Sequence, residues 1–181
     1  MRREWAVAAV LWAACAAWAQ QAPDFLPGTM GKPAGDAAAE WKEGEVPPPP
    51  PLRTTNLVPI DVEGSFDLRY GVDPASVGVG QDAVVRFVVV ASSRSGAVNA
   101  TYEGVHCDRG EYRVYARSSG QAWHAVDGVW QPMGDGSQAR QALAIAQAGV
   151  CRGHAPNGNV AQILRDLRAP FERRFGGSGS P

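Results

Sequence analysis

The stretch "AVVRFVVVASSRSGAVNATYEGVHC", Ala83 to Cys107, decides the fold. "AVVRFVVVA" is short, β-branched and the most apolar run beyond the N-terminal segment, which predicts a central strand. "SSRSGA" reads as a turn, so "VNATYEGVHC" pairs back as a hairpin. Downstream, "GEYRVYARS" alternates, with Tyr112, Val114 and Ala116 on one face and Glu111, Arg113 and Tyr115 on the other. "QAWHAV" and "GVWQPM" are two further short strands around Asp127-Gly128, a favoured hairpin turn. Upstream, "NLVPIDVEG" is β-branched, and Pro59 suits an edge position. "FDLRYGVDPASVGVG" alternates at Val77 and Val79 before a turn at Gly80-Gln81-Asp82.

The helical signals come late. "SQARQALAIAQAG" is alanine-rich, with Ser137 as N-cap and Gly149 as stop. "NVAQILRDLRAPF" places Val160, Ile163, Leu164 and Leu167 on one stripe, with Pro170 ending or kinking it. Strands first and helices last predict an α+β domain, mainly an antiparallel sheet with the C-terminal helices on one face.

The chain opens "MRREWAVAAVLWAACAAWAQQ". Two arginines, a short apolar run and Ala17-Trp18-Ala19 have the three-part pattern of a secretory signal peptide, 1–19. The run is shorter than the roughly 20 apolar residues that a membrane-crossing helix needs. Lipid attachment at Cys15 is disfavoured, because Trp12 fits poorly three residues before a lipidation cysteine. Residues 20–53 read as a Pro/Gly-rich tether, its proline run Pro47 to Pro51 stiff and extended. Trp41 interrupts the tether as an anchor onto the folded part. A single domain follows over 54–175, then a tail, 176–181. These features predict a periplasmic protein whose mature chain has no membrane span. Of 17 basic and 18 acidic residues, cleavage after Ala19 removes Arg2, Arg3 and Glu4, leaving a net charge of about −2, unlike the basic domains that bind nucleic acid. No cofactor motif is present: "GVGQD" lacks the helix and Lys-Ser/Thr start of a phosphate loop.

Loss of the leader also removes Cys15. Cys107 and Cys151 then remain as an even pair in an oxidising compartment, which predicts a disulfide. "TYEGVHCDRGEY" places His106, Cys107 and Asp108 side by side, the vocabulary of nucleophilic catalysis. Strand alternation, however, sends His106 and Cys107 to opposite faces. Two alternatives stay open: an envelope hydrolase with a site near Glu103, His106 and His124, and a metal site of His106, Cys151 and His154, whose last two ligands have acceptable zinc spacing. The arginines at the C-terminal end, Arg152, Arg165, Arg168, Arg173 and Arg174, read as a solvated helix face. Trp123 and Trp130 read as core or rim residues.

The residues "SRSGAVNATYEGVHC", preceded by Trp41-Lys42-Glu43 and followed by a second cysteine at Cys151, resemble the cryptic neisserial protein-like family of exported proteobacterial proteins. The resemblance covers roughly Trp41 to Cys151. It implies export and a single domain, and the family carries no assigned activity. Within the motif, Ser95-Gly96 makes the hairpin turn, Gly96 permitting positive φ. Tyr102 buries its ring while its hydroxyl reaches a backbone partner. Gly104 marks a bulge or a close approach, and Glu103 faces Arg113 across strands. Tyr102, Glu103, His106 and Arg113 form the candidate functional surface. The expected function is non-enzymatic binding or scaffolding of an envelope component.

Overall fold

Three long strands carry the domain. β4 (Val84–Ser93), β5 (Val98–His106) and β6 (Glu111–Ser118) form an antiparallel meander, in a computed structural model that describes residues 41–120 and 122–169. The predicted leader with Cys15, residues 20–40, Pro170, Arg173, Arg174 and the predicted tail lie outside the described residues. β4 is buried on both faces from Val84 to Val90, as an apolar run broken only by Arg86 requires. The expected hairpin pairs Val84 with His106 and Ser92 with Val98. Gly96 turns it at φ +86°, its N–H donating to the Ser93 carbonyl at 3.1 Å.

Each side of this meander is finished by short pieces. β1 (Val58–Ile60) is an edge strand on β2 (Leu68–Val72), which suits Pro59. β2 and then β3 (Gly78–Val79) share the outer edge of β4, with a turn at Pro74–Ser76 between them that Asp73 caps. On the far edge, β7 (His124–Ala125) pairs with Ala116 and Arg117, and β8 (Gln131–Pro132) pairs with Glu111 and Tyr112. The hairpin expected at Asp127-Gly128 therefore does not form. Both pieces bond to β6 instead of to each other, and Gly128 passes so close to the Val114 carbonyl that a β-carbon does not fit.

The helices close one face. α1 (Ser137–Ile145) starts one residue earlier than the expected cap implied, with Gly136 at the N-cap and Ser137 already helical. It loosens into a π-turn, Ala146–Val150, that stops at Gly149 (φ +152°). A small ribbon of β9 (Cys151–Arg152) and β10 (Ala155–Pro156) leads to α2 (Val160–Leu167). Asn159 caps α2 by accepting from the Gln162 N–H at 3.0 Å, and Ile163 and Leu167 are fully buried. Beneath the helices lie Val85, Phe87, Val89, Val105 and Val114. The cysteines join β5 to the ribbon as the predicted disulfide Cys107–Cys151 (Cα–Cα 5.7 Å), which pins helix layer to sheet. The architecture is α+β, as the order of strand and helix signals implied. No helix among the described residues is long and apolar enough to cross a membrane.

The other face is closed without a helix. Val88, Val90, Ala100, Tyr102, Tyr115 and Ala116 form a second apolar cluster, covered by Val46, Leu52 and Leu57 from the chain before β1. A register shift between Tyr102 and Glu103 inserts one extra residue in β6. That bulge corrects the simple alternation expected there, because Tyr115 and Ala116 now lie in the same cluster. Gly104 stands next to the bulge, and a β-carbon there would collide with the Tyr115 hydroxyl and, at 2.9 Å, with Val84. Gly104→Ala is therefore expected to destabilise the domain by about 1–3 kcal/mol by displacing the Tyr115 ring. Chemical denaturation measures this, and a neutral result would mean that the ring has room to shift.

Candidate functional site

Arg86 is the one charge in the apolar run of β4, and its side chain is 6% exposed. A buried guanidinium needs partners for its charge and its N–H groups. Two acids supply them. Asp82, in the turn before β4, accepts from Arg86 Nη2 at 2.6 Å and from Nη1 at 3.2 Å. Glu43, from the arm before β1, accepts from Arg86 Nη2 at 3.1 Å. The turn is held tightly: Asp82 also accepts from the Val84 N–H, and Ala83 adopts φ +62°, rare for a residue with a β-carbon.

Glu43 is the hub of this face. Its carboxylate also receives Arg113 Nη1 at 2.7 Å, Trp130 Nε1 at 3.1 Å and the Tyr115 hydroxyl. Both guanidinium groups stand over the Tyr115 ring, at 5.6 Å for Arg86 and 5.5 Å for Arg113. Burial pushes the Glu43 carboxyl up, but the bonds from Tyr115, Trp130 and Arg86 and the charge of Arg113 outweigh it and hold the group below its ordinary range. Burial and the bond to Glu43 push the Tyr115 phenol well above its usual range. Two residues before Glu43, the Trp41 indole donates to the Asp82 carbonyl at 2.9 Å and packs edge-on against His106 (4.4 Å) and Trp130 (5.5 Å). Gly44 donates its N–H to Asp82 Oδ2 at 2.9 Å, and further along Trp123 Nε1 donates to the Pro50 carbonyl at 2.8 Å. Trp41 is thus the anchor its isolation in a polar stretch suggested.

The candidate surface divides between two faces. Tyr102, His106 and Arg113 lie on the arm face. Tyr102 buries its ring beside Tyr115, but among the described residues its hydroxyl has no backbone partner. His106 is 4% exposed under Trp41; its Nδ1 accepts from the Arg109 N–H at 3.3 Å, and its Nε2 has no partner among the described residues. Glu103 lies on the helix face. The expected pairing of Glu103 with Arg113 is incorrect, since Glu103 is opposite Val114 and Arg113 opposite Gly104. The register set at the turn, His106 opposite Glu111, places them one residue out of step, and strand alternation sends the two charges to different sides.

Glu103 is fully buried beneath α1. Its Oε1 accepts from Thr101 Oγ1 (2.6 Å), Gln138 Nε2 (3.0 Å) and Gln141 Nε2 (3.1 Å), while Oε2 has no partner among the described residues. Burial pushes this carboxyl up, and the three donors recover only part of that shift. A raised carboxyl gives full stability below its ordinary value near 4.5 and loses it as pH rises toward the folded value. Glu103→Gln is therefore expected to stabilise the domain at neutral pH by about 1–3 kcal/mol, the size of an uncompensated buried polar group. The gain should fade below pH 4.5, and melting temperatures at several pH values test it. A constant difference across pH would remove the electrostatic account.

The two alternatives lose their geometry. Glu103 and His106 point to opposite faces, and His124 is exposed on the short strand β7, so the three do not converge. Cys151 is spent in the disulfide, His106 is under Trp41 and His154 sits in the exposed turn between β9 and β10. No group of three His, Cys, Asp or Glu able to hold a metal occurs among the described residues.

Residue reading alone missed Asp82, Arg86, Tyr115 and Trp130 as partners of one site. A single arginine inside an apolar strand was the signal, because such a charge implies a buried acid elsewhere in the chain. The domain is thus an α+β sheet with helices on one face and its own N-terminal arm on the other. It belongs to the CNP1-like family, whose model matches residues 36–168, from just before Trp41 to the end of α2. No curated protein and no solved structure matches the chain.

Proposed function

We propose that this chain is an exported, non-enzymatic binding or scaffolding domain of the cell envelope. The observation that carries the reading is the set of donors around Glu43: Arg86, Arg113, Tyr115 and Trp130 all aim at one carboxylate. Such convergence suits recognition of an anionic group rather than bond cleavage, which needs a free base beside a nucleophile. The leader pattern and the disulfide support an oxidising compartment, and the periplasm is the location that fits both.

Fractionation with N-terminal sequencing tests the location: a periplasmic chain beginning at Gln20 is expected, and a cytoplasmic chain that keeps its leader would overturn export. A photo-reactive residue placed at Val129 or Phe66, both strongly exposed, tests binding in living cells. A discrete adduct with one envelope component is expected. Turnover of an envelope polymer by the purified chain, lost on Glu103→Gln or His106→Ala, would favour the hydrolase instead.

A further inference from the structure

All donors around Glu43 come from the body of the domain: Arg86 from β4, Arg113 and Tyr115 from β6, Trp130 from the approach to β8. The arm contributes an indole ring, one carboxylate and the Gly44 amide, and further along the Pro50 carbonyl and the apolar side chains of Val46 and Leu52. The arrangement is that of a short peptide on a receptor, with an aromatic slot two residues from a carboxylate clamp.

Two observations separate this occupant from the fold. First, among the described residues no backbone–backbone hydrogen bond ties 41–52 to the strands. Every polar contact of the arm with the body uses a side chain on at least one side. The arm can therefore leave without opening the sheet ladder, as low-stability segments do. Second, the arm satisfies the face incompletely. Arg86 Nε, Arg113 Nε and His106 Nε2 are buried without a partner, three of the four such side-chain atoms among the described residues. A guanidinium offers Nε and Nη together as a fork for two oxygens, and Glu43 meets only Nη of each arginine. Beside the clamp, a cavity of about 260 Å³ lined by Pro47, Pro48, Val79, Arg86 and Tyr102 leaves a route of approach to Arg86.

We infer that this face is a receptor for a peptide segment of a partner protein bearing an aromatic residue two positions before an acidic one, and that residues 41–46 are its resident competitor. The inference rests on the binding reading above and names the partner's chemistry. A tethered competitor has an effective concentration on the order of 1 mM, so only a partner that engages more of the groove, or meets the unpaired donors, displaces it.

The probe is a labelled, end-blocked peptide of residues 40–46, EWKEGEV. It is titrated by fluorescence anisotropy into the mature full chain, wild type or carrying Trp41→Ala, which weakens the competitor and leaves the clamp's charges balanced. Binding to the Trp41→Ala chain is expected, with wild type at least about tenfold weaker through competition from its own arm. A peptide with glutamine at the position of Glu43 should bind about tenfold or more weakly, as loss of charge-assisted bonds requires. In a second arm, the Glu43→Gln chain should gain melting temperature on addition of EWKEGEV and not of the glutamine peptide, because a ligand of the folded state stabilises it. Absence of binding to a Trp41→Ala chain with its disulfide and circular dichroism intact would overturn the inference. So would equal binding of both peptides, or no rescue of Glu43→Gln. None of these results touches the cross-link to an envelope component, so the two readings fail separately.

Discussion

Glu43→Ala is expected to destabilise the domain by about 3 kcal/mol, because it leaves Arg86 and Arg113 facing each other with their shared acid removed. For a domain of this size the melting temperature should fall by on the order of 10 °C. The effect is large for one residue of a strandless arm because Arg113, Tyr115 and Trp130 lose their acceptor at once and Arg86 keeps only Asp82. It also has a sign in pH. The folded carboxyl is held below its ordinary value near 4.5, so its contribution is complete above that pH and disappears as pH falls through the folded value. The gap between wild type and Glu43→Ala should therefore narrow in acid. A gap of equal size at pH 3 and pH 7 would mean that the loss is one of packing, not of charge. Glu103 has the opposite dependence, so a Glu103→Gln control run beside it separates the two buried acids.

Removing the Cys107–Cys151 disulfide is the second large expected effect. The bond closes a loop spanning 44 positions, and the chain-entropy relation gives about 4 kcal/mol for such a loop. That loop contains β6, β7, β8, α1 and the π-turn. Cys107 lies in the core beneath the helices, so alanine at both positions is the cleaner test than serine. The variant should melt well below wild type. Hydrogen exchange should quicken first in the π-turn and the β9–β10 ribbon, whose link to the sheet is lost. If reductant leaves the wild-type melting point unchanged, the cross-link contributes nothing beyond the packing around it.

The sheet was legible because its signals are local. A β-branched apolar run, a Ser-Gly turn and a β-branched return strand need no distant information, and neither does the stripe of Val160, Ile163, Leu164 and Leu167. The disulfide was legible from counting, once Cys15 was set aside with the predicted leader. What stayed hidden depends on a one-residue register shift. The bulge opposite Tyr102 and Glu103 brings Ala116 onto the arm face beside Tyr115, and nothing in "GEYRVYARS" signals an extra residue. The socket was hidden for a different reason. Its members lie up to 87 positions apart, from Glu43 to Trp130, and a buried arginine signals that an acid exists without saying which. The short strands at Asp127-Gly128 misled because the dipeptide favours a hairpin, while the free edge of β6 offered both strands a better partner.

The arm's course has a mechanical consequence. Tension applied from the N-terminal side reaches the domain at Trp41 and passes through Asp82 and Arg86 into the middle strand of the sheet, not into an edge. The side-chain contacts are strung along the arm, so they break in succession, Trp41 first, Glu43 next and the Pro50 carbonyl later. A pull on the N-terminal side would thus load the arm's side-chain contacts before the sheet ladder.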